Sequence, residues 1–434
     1  MVKTRLLMMA TLLFFSNWAL ATFPLTLEQA IQTALKSNAD LKTKEAAVDA
    51  ANGTKKKLSA FLPSSTRIGL QGASDLPFAN EGEYKIGAKI SQELEIAGQI
   101  TSRKEIGAYE VEKAEKDLEW FKNQLVFQVQ SEFYQILYLE KKIRIGKNLA
   151  DSNRKLAQLA NTRKQQRVLT EFDSDLWHFE DVDSFSSLLA TKAQLNEVHL
   201  RLKKLLGDGA VDVDHIEGHW PTDFSLPTVE DALAYALANR ADIERMQAEI
   251  KQRTSSLELA KRSWVPNPEL SLSFDTERSV FTKNNIQGSP AVVSGFNSLS
   301  KSDSFLGVGI SVPLNLFIGK DGEVAKACAE TRIARFEKMA LEADVIRDVR
   351  NFWQQFELAG QSLARYSASE SKLENNVKLL QEAYQKGNID LPTYLNYRDR
   401  LIKAQLRYAE AQWTHAQAWT HLQLVSGRIL GGAK

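Results

Sequence analysis

The sequence predicts a mainly α-helical chain, duplicated internally into long helical hairpins, with four short β-strands whose alternation is that of membrane strands or of a half-buried soluble sheet. Three observations predict it: one plan written twice, two proline-free tracts with heptad spacing, and four short segments of strict alternation.

The duplication is read first. Leu27–Leu41 recurs 202 positions later as Val229–Ile243, and Glu28, Ala30, Ala34, Leu35, Ala39 and Asp40 all return as the same residue type. Further on the offset is 220, pairing Gly87 with Gly307, Ser91 with Ser311, Leu94 with Leu314, Leu202 with Leu422 and Gly207 with Gly427. The second half has therefore gained about 18 residues, and the tract Asp275 to Asp303, far longer than its counterpart Ala73 to Glu83, is where they are expected. Both tracts lie between alternating segments, so the insertion is expected in a hairpin loop, where added length costs little.

The N-terminus reads as a secretory leader over residues 1–21. Lys3 and Arg5 precede the apolar run Leu6–Phe15, and Ala19-Leu20-Ala21 supplies small residues for cleavage before Thr22. An uncleaved anchor is the alternative, but the run is well short of the roughly 20 residues that span a bilayer. Two repeats are expected to follow. The first covers 22–220, with short helices, a hairpin at about 65–94 and a long helical pair at about 100–207. The second covers 221–434, with its hairpin at about 268–313 and its pair at about 320–427.

Charge and cysteine usage exclude several classes. The whole chain carries a formal +1, and without Lys3 and Arg5 there remain 53 basic residues against 54 acidic, which gives no electrostatic case for nucleic-acid binding. Cys328 stands alone, so no intramolecular disulfide forms and no lipid-accepting cysteine follows the leader. Beyond the leader no uncharged run approaches the length of a transmembrane helix. If the chain lies in a membrane, it does so with strands.

The helices follow from what is missing and what is spaced. All ten prolines fall outside Phe78–Trp220 and Leu314–Leu391, so neither tract holds a helix breaker. Val111, Ala114, Leu118, Phe121 and Leu125 step by three and four, as do Leu373, Val377, Leu380 and Tyr384. The longest seam is Leu401, Ala404, Tyr408, Ala411, His415, Ala418, Leu422 and Val425; Leu188, Thr191, Leu195, Val198, Leu202 and Leu205 keep the same phase 220 residues earlier. A helix from Thr101 to about Gln166 would be roughly 100 Å long at 1.5 Å per residue.

Four segments alternate instead. Ile68 and Leu70; Tyr84, Ile86, Ala88 and Ile90; Leu270, Leu272 and Phe274; and Leu306, Val308, Ile310 and Val312 each take every second place among polar residues or glycine. This is the pattern of a transmembrane strand, and on periodicity alone a half-buried strand in a soluble sheet fits as well. Four strands cannot close a barrel, and a bilayer does not tolerate open sheet edges, so a membrane role requires several chains to pool their hairpins.

The order leader, short helix, hairpin, long helical pair, and all of it again, resembles the TolC-like outer-membrane efflux proteins. Carrying the resemblance are Leu25-Thr26-Leu27-Glu28-Gln29-Ala30 with Asn38-Ala39-Asp40-Leu41, the tract Val312-Pro313-Leu314-Asn315-Leu316-Phe317-Ile318-Gly319-Lys320, and Ala383-Tyr384-Gln385-Lys386-Gly387 through Leu395 to Gly427. The resemblance implies a homotrimer in the outer membrane of a Gram-negative bacterium, each chain giving four strands to a twelve-stranded barrel continued by a periplasmic α-helical tunnel. It implies three further partners: a periplasmic adaptor protein, an inner-membrane pump of the resistance-nodulation-division class, and outer-membrane lipid. Pro63, Pro266 and Pro313 would then mark helix-strand changeovers. The loops Ala73–Glu83 and Asp275–Asp303 would face the exterior.

By the same resemblance the periplasmic tip carries the adaptor-binding residues, at Arg167, Val168, Leu169 and Thr170 in the first repeat and Gly387, Asn388, Ile389, Asp390 and Leu391 in the second. The family's valine-glycine turn is altered here, with Lys386 before Gly387 and Arg167 in the first glycine's place. Asp173 matches an acidic pore-constriction position, while Thr393 and Asn396 stand where its second-repeat counterparts would be. Ser91-Gln92-Glu93-Leu94-Glu95-Ile96-Ala97-Gly98-Gln99 is similar to the branch serving heavy-metal efflux, which places metal cations ahead of drugs or secreted proteins as the cargo.

Other chemistry is sparse. No phosphate loop, nucleophile elbow or zinc-hydrolase helix occurs, so neither enzyme activity nor a cofactor is expected. His415 sits on a core seam and reads as a packed side chain, and Asp212, Asp214, His215, Glu217 and His219 read as a solvated connector, not a metal site. Trp120, Trp353, Trp413 and Trp419 read as packing residues; Trp264, Phe274 and Phe305 read as interfacial belt residues near strand ends. A secreted coiled-coil scaffold would explain the leader and the heptads but not the duplicated hairpins.

Overall fold

The computed structural model describes residues 24–61, 66–75, 83–207, 213, 215–221, 224, 228–282, 298–313, 320–368 and 370–427. The expected leader, Pro63, the strand exit 314–319, Asp212 and Asp214 lie outside the described residues, as do the tips of both hairpins at 76–82 and 283–297. Elements run α1 (Leu27–Ser37), α2 (Ala39–Leu58), β1 (Arg67–Ser74), β2 (Tyr84–Glu93), α3 (Gln99–Gln165), α4 (Glu171–Leu206), and then α5 (Val229–Asn239), α6 (Ala241–Arg262), β3 (Glu269–Thr282), β4 (Ser298–Ser311), α7 (Lys320–Ser367), α8 (Glu370–Gln385) and α9 (Leu391–Ser426).

The chain divides into two compact units, each drawing on both halves of the sequence. One comprises Ala46–Lys116 and Asp242–Ala340 and holds the sheet with its flanking helix segments; the other comprises the remaining described residues.

In the helical unit, equivalent positions of the two halves do the same work. Thr26 and Thr228 cap α1 and α5, each hydroxyl accepting from the backbone N–H three residues on, Gln29 or Asp231. At the far ends, Asn38 Nδ2 donates to the Leu205 carbonyl at 3.0 Å, and Arg240 Nη1 donates to the Val425 carbonyl at 2.8 Å. Each short-helix corner thus satisfies a last-turn carbonyl of a long helix that would otherwise lack a partner. Those helices both end on left-handed glycines, Gly207 and Gly427.

The core of this unit lies along the heptad seams. Val198, Leu202 and Leu206 of α4 are buried against Leu125, Val129, Ile136 and Leu139 of α3, with Ala30, Ala34 and Leu41 closing the side. Each such aliphatic side chain stabilises the packed state by about 1.5–3 kcal/mol. Of the expected α9 seam, Tyr408, Ala411, His415, Ala418, Leu422 and Val425 are buried, and Leu401 and Ala404 are half-buried.

Two expectations about length need correction. The proline-free tract ahead of Leu391 forms two helices, not one, with α7 ending at Ser367 and α8 beginning at Glu370, whereas α3 runs unbroken for 67 residues. The inserted residues of the second hairpin are also not all loop. β3 and β4 pair from Glu269↔Ser311 out to Thr282↔Ser298, so the insertion lengthens the ladder. Its serines and threonines tolerate strand backbone, and two strands that pair with each other satisfy their polar groups beyond the end of β2.

All four strands form one antiparallel sheet in the order β1-β2-β3-β4. The register sorts its two faces. Ile68, Ile90, Leu272 and Val308 stand in one row, and Leu70, Ala88, Phe274 and Leu306 in the next. Directly paired residues share a face, so an apolar face runs across all four strands. The large side chains of these rows are 47% (Ile90) to 83% (Leu70) exposed. The opposite face carries Lys85, Lys89, Ser271, Ser273, Asp275 and Glu277. There Gln71 Nε2 donates to Asp275 Oδ1 at 2.7 Å across β2, which is possible because Gly87 lies between them; any Cβ at that place would collide with both groups. The belt expectation is corrected for two aromatics: Phe274 stands mid-strand within the apolar face, and Phe305 pairs with Asp275 and so lies on the polar face. Only Trp264, 40% exposed just after α6, sits at a strand approach.

Candidate functional site

The turns α3–α4 and α8–α9 share one backbone design. Arg167 N–H donates to the Lys164 carbonyl and Val168 N–H to the Arg163 carbonyl, both at 2.9 Å; 220 residues later Gly387 N–H donates to Tyr384 and Asn388 N–H to Ala383, again at 2.9 Å. This pair of bonds closes a helix end around one left-handed residue. That residue is Arg167 at φ +58° in the first turn and Gly387 at φ +75° in the second. Arg167 is the one described non-glycine residue with positive φ. Its Cβ costs about 1–2 kcal/mol in that region, while Gly387 has no such penalty.

The chain then re-enters a helix in both turns through a residue in extended conformation, Thr170 or Asp390. Thr170 Oγ1 accepts from Asp173 N–H at 3.1 Å and donates to Asp173 Oδ2 at 2.6 Å. Lys164 Nζ also meets Glu171 Oε1 at 2.8 Å, which pushes the lysine pKa up and the Glu171 pKa down. Asp390 makes no side-chain cap; Pro392 occupies the first helical turn instead. Local polar contacts hold the first turn.

Buried aromatics hold the second. Trp177 of α4, Tyr384 of α8 and Tyr394 of α9 are packed together with Leu156 and Ala160 of α3 and with Leu391. Ring centroids are 5.7 Å apart for Trp177–Tyr384 and 4.7 Å for Tyr384–Tyr394. Trp177 Nε1 donates to the Tyr384 hydroxyl at 3.3 Å, and the Tyr394 pKa is raised, chiefly by burial. Next to this cluster Arg398 is 4% exposed and reaches three partners: Asn153 Oδ1 at 2.9 Å, Glu180 Oε2 at 2.7 Å and Asp399 Oδ1 at 2.9 Å. Desolvation opposes the charge on Arg398, but these hydrogen bonds and carboxylates outweigh it and its pKa is raised. The aromatic cluster and the arginine together tie α9 to α3 and α4 a few residues behind the turns.

The sequence-derived tip residues therefore divide. Arg167, Val168, Thr170, Gly387, Asn388 and Asp390 are exposed, whereas Leu169 and Ile389 pack onto the aromatic cluster and Leu391 is buried in it. Asp173 is engaged in the helix cap, Thr393 is half-buried and Asn396 is exposed. Trp177, Tyr394 and Arg398 escaped the sequence reading because their partners lie hundreds of positions away or on another helix. A detectable signal was present: a tryptophan and a buried-phase arginine at helix positions close to two turns.

The other candidates are plainly placed. His215 and Glu217 flank a short bridge to Leu25, with Leu25 N–H donating to the His215 carbonyl at 2.9 Å, and no group of three or more metal-ligating side chains occurs among the described residues. His415 packs between Phe224 and Phe356, with ring centroids at 4.5 Å and 4.6 Å.

The outer membrane efflux protein family matches residues 30–166 and 232–428, more than half of the sequence, and the chain belongs to that family. The cobalt-zinc-cadmium resistance protein CzcC of Cupriavidus metallidurans is 20% identical over 416 residues, covering 94% of this chain and 91% of that protein. The fold is that of the CmeC outer membrane channel of Campylobacter jejuni, with a TM-score of 0.75 at 16% identity over 94% of this chain and 86% of that one. It is equally that of CusC, with a TM-score of 0.71 at 12% identity and 95% of each chain covered.

Proposed function

We propose that the protein is the outer-membrane exit duct of a tripartite efflux system, a homotrimer that carries heavy-metal cations from a periplasmic adaptor and inner-membrane pump to the outside. One observation carries the reading: a four-stranded sheet whose apolar face is left bare and whose outer strands, β1 and β4, have no further partner among the described residues. Bare aliphatic rows are stable against lipid, and open edges are stable in a bilayer only when a neighbouring copy completes the ladder. The wetted face of lysines, serines and carboxylates then lines the lumen. A stripe of exposed apolar residues on α4, including Phe172, Phe179, Val182 and Leu189, supports copies packing along the helices as well.

Transport in this reading is passive, with energy entering at the pump. The tip stays narrow while Trp177, Tyr384, Tyr394 and Arg398 hold α9 to the first-repeat helices. An adaptor that binds the splayed arrangement better shifts the population toward opening. The exposed turn residues, Arg167, Val168, Gly387 and Asn388 among them, are the surface it meets. Support for metal cargo comes from the similarity to CzcC and from the Ser91–Gln99 segment.

Planar-bilayer recording tests the duct, with discrete conductance steps expected from detergent-extracted protein and none expected from a scaffold. A strain lacking the protein should lose resistance to zinc, cobalt or cadmium. Unchanged metal resistance with lost drug resistance would reassign the cargo.

A further inference from the structure

Where the strands give way to helices, apolar exposure continues past the sheet. All four junctions lie at one end, because β1 and β3 begin there and β2 and β4 end there in matched register. Phe61 is 76% exposed, and Ile96, Trp264, Val265 and Val312 are exposed around it at the same junctions.

Basic side chains stand beside them. The last turn of α2 carries Lys55, Lys56 and Lys57, all exposed and none ion-paired among the described residues. A helix C-terminus attracts lysines, but here three of its last four carbonyls already accept from other groups. Ser59 N–H donates to the Lys55 carbonyl and Ala60 N–H to the Lys57 carbonyl, and Arg103 Nη1 reaches the Leu58 carbonyl at 3.1 Å. The neighbouring carboxylates are engaged too, Glu95 with Arg103 at 2.8 Å and Glu93 with Asn267 at 2.9 Å. Lys104, exposed, follows Arg103 on α3 and adds to the excess. The backbones of α2 and α3 meet at Lys55 and Gly107, where no Cβ intervenes, so the lysine turn is held firmly at this level.

Free ammonium groups near exposed aromatic and aliphatic side chains, within about two helical turns past the end of a lipid-facing sheet, match a membrane interface. We propose that this collar, built from Lys55, Lys56, Lys57 and Lys104 with Phe61 and Trp264, binds the phosphate headgroups of anionic phospholipids in the adjoining leaflet. The proposal rests on the membrane-duct reading. Its rings and aliphatic chains enter the acyl boundary while the lysines neutralise headgroup charge, which would fix the depth of the sheet in the bilayer.

The test uses the full protein in phosphatidylcholine nanodiscs, with spin-labelled phosphatidylglycerol or phosphatidylcholine reporting motionally restricted lipid. The wild type should favour phosphatidylglycerol about three- to tenfold at low salt, with the preference falling toward parity at high salt. K55Q/K56Q/K57Q should bring it to within about twofold of parity, and the charge-preserving K55R/K56R/K57R should keep it. Parity in the wild type, or a preference unchanged in the glutamine variant, would overturn the proposal. Loss of the preference on adding inorganic phosphate at constant ionic strength would also overturn it, by assigning a free-anion site. Entry into pure phosphatidylcholine discs and conductance across planar phosphatidylcholine bilayers read the duct itself; both should be the same in all three proteins. Failure of the wild type in that arm removes the duct and the collar together.

Discussion

The first-repeat turn at Arg167 and the second-repeat turn at Gly387 share their backbone hydrogen bonds to within 0.1 Å but not their means of support. At Arg167 a left-handed arginine is tolerated because Thr170, Asp173, Lys164 and Glu171 form a local polar brace. At Gly387 the backbone is unstrained and the cap is weak, yet Tyr384, Leu391 and Tyr394 are buried. Their first-repeat equivalents are Lys164, Glu171 and Ser174. One geometry can thus be held by neighbours in sequence or by partners in space. The second kind couples a turn to the other helix pair, and Leu169 of the first turn shares in it.

The largest test of that contrast is aromatic truncation. Tyr394→Ala should cost about 3 kcal/mol in denaturant unfolding of the extracted protein, whereas Ser174→Ala should cost under about 1 kcal/mol. Equal costs would mean that the second turn does not depend on its aromatic packing. Next comes the left-handed residue itself. Gly387→Val should destabilise by about 1–2 kcal/mol through backbone strain alone, because nothing lies within 4 Å of a Cβ built there. Arg167→Gly should relieve strain and stabilise by up to about 1 kcal/mol, partly offset by greater freedom in the unfolded chain. If both changes move thermal stability the same way, the two turns are not equivalent.

Capping should separate the repeats in the opposite sense. Thr170→Ala should lose about 1 kcal/mol of stability and Asp390→Ala close to nothing, since only Thr170 makes a side-chain cap.

The smallest effect is acid sensitivity. His415 and His421 on α9 have pKa values lowered by burial, and their first-repeat equivalents are Leu195 and Arg201. Between the folded pKa and the ordinary value near 6.5 the unfolded chain binds more protons, so stability is full above about pH 6.5 and declines as pH falls below it. His415→Leu should flatten part of that decline in unfolding curves taken from pH 7.5 to 5. An unchanged slope would show that His415 titrates freely in the fold.

Duplication, heptads and alternation made the fold legible, because each is written within one stretch of chain or at a constant offset. The offset even placed Arg167 opposite Gly387 before the backbone showed both in the left-handed region. It could not show that Leu169 and Ile389 turn inward, since burial at a turn depends on which helices lie behind it. The α7–α8 break was hidden because no proline or glycine marks it. Lengthened strands β3 and β4 were hidden because serine-rich sequence reads as loop until a partner strand supplies hydrogen bonds. The Arg398 node joins three helices from both repeats, and only tertiary packing brings Asn153, Glu180 and Arg398 together.

The central claim is that the four strands are one share of a barrel closed between copies. Cysteine pairs scanned along β1 and β4 in a Cys328→Ser background would test it, with cross-linking in native membranes read on denaturing gels. The account predicts a ladder from β1–β4 pairs that ends at three chains. A band that stays at one chain for every pair tested would contradict it.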